Sequence, residues 1–210
     1  MAGKFNVSSS PHVRDNSSTA NIMKDVCIAM IPTLAFGCFQ FGLSALIVVI
    51  CTVLACVLAE YLYEKVMNKP VTIGDFSAVV TGLILALNMP PQIPVWMPIL
   101  GGVFAIIVVK QLYGGLGQNF MNPALAARCF MLISFAGSMT NFSSVAMNYD
   151  SSSTPTPLAF LKAKGITDAL EQYNLVNIFL GRIPGTIGEV STIALLIGAI
   201  YLVVRKVISL

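Results

Sequence analysis

Long apolar runs separated by short polar intervals dominate the first half of the chain. They predict two long helices, over residues 22–39 and 43–66, and the second contains an unbroken apolar stretch from 43 to 59. About 20 apolar residues cross a bilayer core of roughly 30 Å, so both helices are predicted to span a membrane. Glu60 and Glu64 follow the apolar stretch and are expected to lie in water at the end of the second helix.

The next three apolar runs predict helices over 75–88, 95–110 and 123–136. Asp75 is a candidate N-cap for the first, and Asn122 followed by proline is a common helix start for the third. The first and third hold only about 12 apolar residues, roughly 18 Å at 1.5 Å each, which is too short to cross unaided. Broken helices of this kind occur in transporters. The alternative is two short, tilted helices.

Polar residues gather at the N-terminus and in one later interval. Residues 1–21 form a polar tail, and residues 137–189 separate the predicted helices from a last apolar helix over 190–206. The interval contains the stretch Asp150-Ser-Ser-Ser-Thr-Pro-Thr-Pro-Leu158, which presents five hydroxyl side chains. A solvated Ser/Thr/Pro loop is the ordinary interpretation, and an exposed hydroxyl that can be esterified is the functional one.

Composition agrees with a membrane protein and excludes several classes of site. The chain is 56% hydrophobic and 10% charged, with a mean hydropathy of +0.83, whereas soluble domains carry roughly 25% charged residues. The net charge of +3 without a basic run argues against nucleic-acid binding. The five cysteines lack metal-ligand spacing and His12 is the only histidine, so we predict neither a metal site nor a catalytic residue.

The distribution of basic residues predicts the orientation. With the N-terminus in the cytoplasm, nine lysines and arginines fall on the inner side and three on the outer side, in agreement with the positive-inside rule. The Asp150 stretch then lies outside. The count assumes five or six crossings. If one short segment only dips into the membrane and returns, the predicted side of every later segment is reversed. Asp75 and Arg128 are the ionisable residues nearest the membrane interior, where capping and snorkelling explain them as well as ion binding does.

Several segments, taken in order, resemble one family: RnfD of the Rnf complex and its relative NqrB of the sodium-pumping NADH:quinone reductase. The matching segments cover nearly the whole chain; they are Ser10-Pro-His-Val-Arg14, Ile22-Met-Lys-Asp-Val26, Gly74-Asp-Phe76, Thr81-Gly-Leu-Ile-Leu-Ala-Leu-Asn-Met-Pro-Pro91, Gly114-Gly-Leu-Gly-Gln-Asn119, Asn122-Pro-Ala124 and Pro184-Gly-Thr-Ile-Gly-Glu189.

The resemblance implies a covalent flavin. In that family an Asp-x-x-[Ser/Thr]-[Ser/Gly]-Ala-Thr motif carries FMN, whose phosphate a flavin transferase esterifies to the threonine. Asp150, Ser153 and Thr154 match the motif, and Thr156 takes the attachment position. Pro155 stands where alanine is usual, which makes Thr154 the alternative acceptor. Pro157 follows the attachment position directly.

The resemblance also implies the fold and a second flavin contact. The family resembles urea transporters in having an inverted-repeat fold, so an all-α, multi-span bundle containing the first repeat and the opening helix of the second is expected. The segment 184–189 would open that helix on the flavin's side, and Gly185, Thr186 and Gly188 are its candidate flavin contacts. A simple Gly/Pro helix start explains the segment equally well. A second flavin, riboflavin, remains open.

The function that this resemblance implies is that of a membrane subunit of a redox-driven, ion-translocating ferredoxin:NAD oxidoreductase. The expected partners are RnfA, RnfB, RnfC, RnfE and RnfG, the flavin transferase and membrane lipid, and the expected location is the bacterial inner membrane. The subunit would not be active alone. The alternatives are a small-solute channel or transporter of the same fold, and a structural subunit without flavin.

Overall fold

The computed structural model describes residues 18–142, 157–165, 175–181 and 183–208, and within them the chain is helical and has no strand. Nine α-helices are described, with a 3₁₀ turn before α3 and a π-helix that continues α4. They are α1 Thr19–Phe41, α2 Leu43–Val66, the 3₁₀ turn Ile73–Asp75, α3 Ser77–Leu87, α4 Trp96–Phe104, the π-helix Ala105–Gln111, α5 Pro123–Ser134, α6 Ala136–Met139, α7 Pro157–Lys164, α8 Leu175–Leu180 and α9 Thr192–Val204.

The helices α1 and α2 form an antiparallel pair joined at a single residue. Ser18 caps α1 by accepting a hydrogen bond from the backbone N–H of Asn21. The interval between the two predicted helices, residues 40–42, is shorter in the structure, because α1 continues to Phe41 and only Gly42 breaks it, at φ 75°. By length and composition both helices can cross a membrane, and their outward faces expose large apolar side chains such as Ile31 and Leu54.

The short helix α3 lies inside the bundle. Eight of its eleven residues are buried, and Leu85 is fully so. It begins at Ser77, two residues after Asp75, whose Oδ1 accepts a hydrogen bond from the Ser77 N–H at 2.8 Å. It stops at Asn88, as predicted, and at about 1.5 Å per residue its length is half a span. Phe76, between the 3₁₀ turn and α3, adopts a left-handed conformation at φ 62°.

The helix α4 changes its hydrogen-bond pattern at Ala105 and continues as a π-helix to Gln111. The predicted helix over 95–110 thus has nearly the right bounds, and its second half is wound differently. π-helices are rare and mostly single-turn insertions, frequently at functional sites. This one ends with Lys110 and Gln111, both buried.

The remaining long elements close the bundle. Asn122 caps α5 through Oδ1, which accepts from the N–H groups of Ala124 at 3.0 Å and Leu125 at 3.3 Å, so the predicted Asn-Pro helix start is confirmed. The last helix, α9, packs antiparallel along α1. At one end of this pair Arg205 bonds Asp25 at 3.2 Å, and Tyr201 donates to the same carboxylate at 2.9 Å.

Candidate functional site

Five polar side chains form a buried polar cluster where α2, α3 and the π-helix meet. They are Glu60, Glu64, Ser77, Lys110 and Gln111, and each is at most 3% exposed. Glu60 and Glu64 stand one turn apart on the buried face of α2. The π-helix brings Lys110 and Gln111 to the same point from the other side.

Lys110 is the centre of this cluster. Its Nζ donates to Glu60 Oε1 at 2.6 Å and to Ser77 Oγ at 2.5 Å. Gln111 Nε2 donates to the same Glu60 oxygen at 2.8 Å and lies 3.4 Å from Glu64 Oε1. One oxygen of Glu60 therefore takes two donors. The other, Oε2, is buried and has no hydrogen-bond partner.

The neighbouring groups hold the second carboxylate and the serine. Glu64 Oε2 accepts the backbone N–H of Thr72 at 3.1 Å, and the Thr72 hydroxyl donates to Oε1. Ser77 Oγ donates to Asp75 Oδ1 at 2.5 Å. Glu60, Glu64 and Asp75 together bring three carboxylates to a region that contains one buried ammonium.

The expectation that Glu60 and Glu64 lie in water is therefore wrong. Glu60 is 0% exposed and Glu64 is 2% exposed. The reason is tertiary: the start of α3 and the end of the π-helix cover this end of α2. The signal in the sequence was the spacing of four between the two acids, which puts them on one helix face, together with a lysine at the end of another apolar run.

A second polar feature lies where the chain before α9 crosses the end of α3. The N–H of Gly188 donates to Leu87 O at 2.8 Å, and the N–H of Ile187 donates to Met89 O at 3.1 Å. These bonds satisfy carbonyls that the early end of α3 leaves free. Thr186 is 3% exposed and its hydroxyl oxygen has no partner.

Arg128 connects this crossing to α5. Its Nη1 donates to Asn88 Oδ1 at 2.5 Å and lies 3.4 Å from Glu189 Oε1. Asn88 and Glu189 are also at the edge of a cavity of about 360 Å³ between α1, α3 and α9, which is mainly apolar. Arg128 thus holds the end of the short helix to the segment before α9.

The structure brings together only some of the predicted flavin residues. Gly185, Thr186 and Gly188 lie at the crossing just described, and Pro157 is the first residue of α7. The attachment stretch itself, with Asp150, Ser153, Thr154, Pro155 and Thr156, lies outside the described residues. Within the described part of the chain, the acidic, cysteine and histidine side chains form no group of three that could hold a metal ion.

Among the described helices, α1 and α2 are long and apolar enough to cross a membrane, as a helical membrane protein requires. The sequence profile of the NQR2, RnfD, RnfE family matches residues 6–210. The chain therefore belongs to the NQR2, RnfD, RnfE family, and family and helices together identify it as a membrane protein.

Individual relatives agree with this assignment. The D subunit of the Na(+)-translocating ferredoxin:NAD(+) oxidoreductase complex of Acetobacterium woodii is 48% identical over 205 residues, which are 97% of this chain and 63% of the relative. The D subunit of the proton-translocating ferredoxin:NAD(+) oxidoreductase complex of Clostridium ljungdahlii is 44% identical over 211 residues, 98% of this chain and 64% of the relative. The predicted resemblance to RnfD is confirmed, and the chain spans less than two thirds of the length of these relatives.

Proposed function

We propose that the chain is the RnfD-type membrane subunit of a redox-driven, ion-translocating ferredoxin:NAD⁺ oxidoreductase complex, and that it carries a covalent FMN which relays electrons at the outer face. The observation that carries the proposal is the 48% identity, over nearly the whole chain, to the corresponding subunit of such a complex. Substrate oxidation would take place on the other subunits of the complex, since this sequence offers no iron–sulfur cysteine motif and no dinucleotide fingerprint.

Thr156 is the proposed attachment residue. Its hydroxyl would lose its proton and form the ester bond to the FMN phosphate, displacing the leaving group that the flavin transferase's donor carries on that phosphate, and Thr154 is the alternative acceptor. The helix α7 begins at the very next residue in the sequence, Pro157, and carries Lys162. A helix start favours a phosphate through its free N–H groups and its dipole. When bound, the flavin supplies the electron chemistry, and the protein fixes its position.

The crossing before α9 fits a flavin contact in one respect and limits it in another. Thr186 has a buried hydroxyl without a partner, which a polar ligand atom would satisfy. The N–H groups of Ile187 and Gly188 already donate to the end of α3, so they are not free for a phosphate. Among Gly185, Thr186 and Gly188, we therefore assign the contact to Thr186 first.

The proposed orientation places the N-terminus in the cytoplasm and Thr156 outside the bacterial inner membrane. One end of the bundle gathers several basic side chains. Lys24 lies over the ring of Phe76 at the start of α3, Lys69 reaches the end of the π-helix, and Arg205 reaches Asp25 near the start of α1. The positive-inside rule assigns this end to the cytoplasm.

The proposed fold is the first repeat of an inverted-repeat, urea-transporter-like bundle, with α9 opening the second. Two observations support it. The apolar helices α3 and α5 are too short to span the membrane alone; α3 is buried in the bundle, and α5 packs against α3 and α4 with one face exposed. The helices α1 and α9, the first of the two proposed repeats, run in opposite directions. The proposed partners are RnfA, RnfB, RnfC, RnfE and RnfG, the flavin transferase and lipid.

Flavin fluorescence on a denaturing gel tests the covalent link. The chain would be co-expressed with a flavin transferase as wild type and as Thr156→Val, Thr154→Val and Thr156→Ser. We expect a fluorescent band in the wild type and in Thr154→Val, and none in Thr156→Val. Thr156→Ser is the matched control, because it keeps a hydroxyl at the same position. A dark wild-type band beside a fluorescent control flavoprotein would refute the covalent flavin, and loss only in Thr154→Val would move the attachment to Thr154.

A further inference from the structure

The least expected group in the described part of the chain is the free oxygen of Glu60. Glu60 is 0% exposed, and while Oε1 takes donors from Lys110 and Gln111, Oε2 takes none. An unsatisfied buried polar atom costs about 1–3 kcal/mol, and more when it is charged. Such an atom calls for a ligand or for a change of charge.

The charges around Glu60 also favour a bound ligand or a change of charge at this atom. Lys110 faces Glu60 from the π-helix, while Glu64 on α2 and Asp75 before α3 add negative charge. Lys69 donates to the backbone carbonyl of Gln111 at 3.5 Å and lies over the ring of Tyr63, so it pairs with none of these carboxylates in the described structure. Cys56, one turn below Glu60, is a buried thiol that is neutral. Three carboxylates around one buried ammonium leave an excess of negative charge in a region with little water, which is costly.

A metal ion does not fit the arrangement of side chains in the buried polar cluster. The carboxylates do not converge into a group of three that could hold a metal, and Lys110 already occupies the position between Glu60 and Ser77. A proton needs only one free oxygen lone pair, and Glu60 Oε2 supplies it.

We propose that Glu60 is a proton-binding site, with Oε2 as the atom that takes the proton. Binding converts the carboxylate into a neutral carboxylic acid, raises the charge of the cluster by one and weakens the hold of Glu60 on Lys110. The ammonium then remains with Ser77 and, through it, Asp75. Lys110 is the positioning residue, because it keeps the empty site ionised.

This proposal goes beyond the flavin function and does not depend on it. Proton binding at Glu60 can be present in a chain that lacks FMN, and FMN can be attached to a chain in which Glu60 never takes a proton. The two tests therefore fail separately.

The test is modification by a hydrophobic carbodiimide, applied to the purified full chain and read by peptide mass spectrometry. The reagent takes the proton of a buried carboxylic acid on its nitrogen, while the carboxylate oxygen bonds to its central carbon. Rearrangement then leaves a stable acylurea with no leaving group. Glu64 is the matched internal control: it is equally buried on the same face, but both of its oxygens are hydrogen-bonded.

We expect modification of Glu60 to exceed that of Glu64 by about tenfold or more near pH 7, since tenfold corresponds to one pH unit in proton affinity. Glu64→Gln should lower the modification of Glu60, because it removes one of the negative charges that favour a proton there. Lys110→Met should increase it, because the carboxylate then loses its counter-charge and takes a proton more readily. Equal modification of Glu60 and Glu64 in the wild type, or no modification of Glu60, would overturn the proposal, whether or not the Lys110 variant folds.

Discussion

Two glycines determine how closely α3 approaches its neighbours. A Cβ placed on Gly82 would lie 2.8 Å from the Cα of Val53, a backbone atom of α2 that has little freedom to move. A Cβ on Gly188 would lie 2.7 Å from Leu87 Cβ. These two contacts press the half-length helix against α2 on one side and against the segment before α9 on the other, and so they fix the position of Asn88.

Replacing Gly82 by alanine should therefore destabilise the protein. The added methyl group has to displace backbone, and overpacking of a buried site costs about 1–3 kcal/mol. For a chain of this size that corresponds to a fall in Tm of roughly 2–10 °C, measured by thermal unfolding in detergent. Gly137→Ala in α6 is the control, since a Cβ there meets nothing within 4 Å. Equal Tm values for the two variants would show that α3 is not held as tightly as described.

At the residue scale the sequence predicted the Asn122 cap but not the burial of charge. The side chain of Asn122 acts locally, on N–H groups two and three residues away, so its role follows from the neighbouring sequence. Glu60 is buried by Lys110, which lies 50 positions away along the chain. A pairing over that distance is set by how α2 and the π-helix pack, which hydrophobic periodicity does not encode. The assignment of Thr156 came from resemblance and stays a prediction.

At the scale of elements, helix ends were predictable wherever side-chain chemistry fixes them. The helix α2 has the predicted bounds 43–66, and α5 begins at Pro123 as expected. The π-helix was not predictable, because residues 105–111 are ordinary apolar helix formers until Lys110 and Gln111. Both of these side chains point into the buried polar cluster, and the wider winding brings two successive residues to Glu60.

The start of α5 supplies the prediction at this scale. Asn122→Ala removes the acceptor for the N–H groups of Ala124 and Leu125 and should cost about 1 kcal/mol. Asn122→Asp keeps an acceptor of the same length and should retain most of the stability. Thermal unfolding of the two variants in the same detergent gives the comparison. If both variants lose stability equally, the amide nitrogen of Asn122 and not its oxygen matters.

At the scale of the whole molecule, the ends of the described bundle differ in chemistry. The starts of α1 and α3 meet the ends of α2, of the π-helix and of α9 at one end, where Lys24, Lys69, Lys110 and Arg205 lie. The chain leaves α3 at mid-bundle and returns through α4, so these two elements together begin and end at the same side. The helix α5 then leads away from the basic end of the bundle, because Phe135 at its end packs edge-on against Trp96 at the start of α4.

This path predicts that the turn after α2 and the Asp150 stretch face opposite sides of the membrane. Single cysteines at Met67 and at Ser152, each in a background without the native cysteines, would be treated with a membrane-impermeant maleimide in intact cells. We expect Ser152→Cys to react and Met67→Cys to react only after the cells are opened, because Met67 is exposed at the basic end of the bundle. Reaction of neither in intact cells, and of both once the cells are opened, would mean that α5 dips into the membrane and returns. The proposed attachment residue Thr156 would then lie on the cytoplasmic side, where a covalent link is no longer needed to keep the cofactor from being lost.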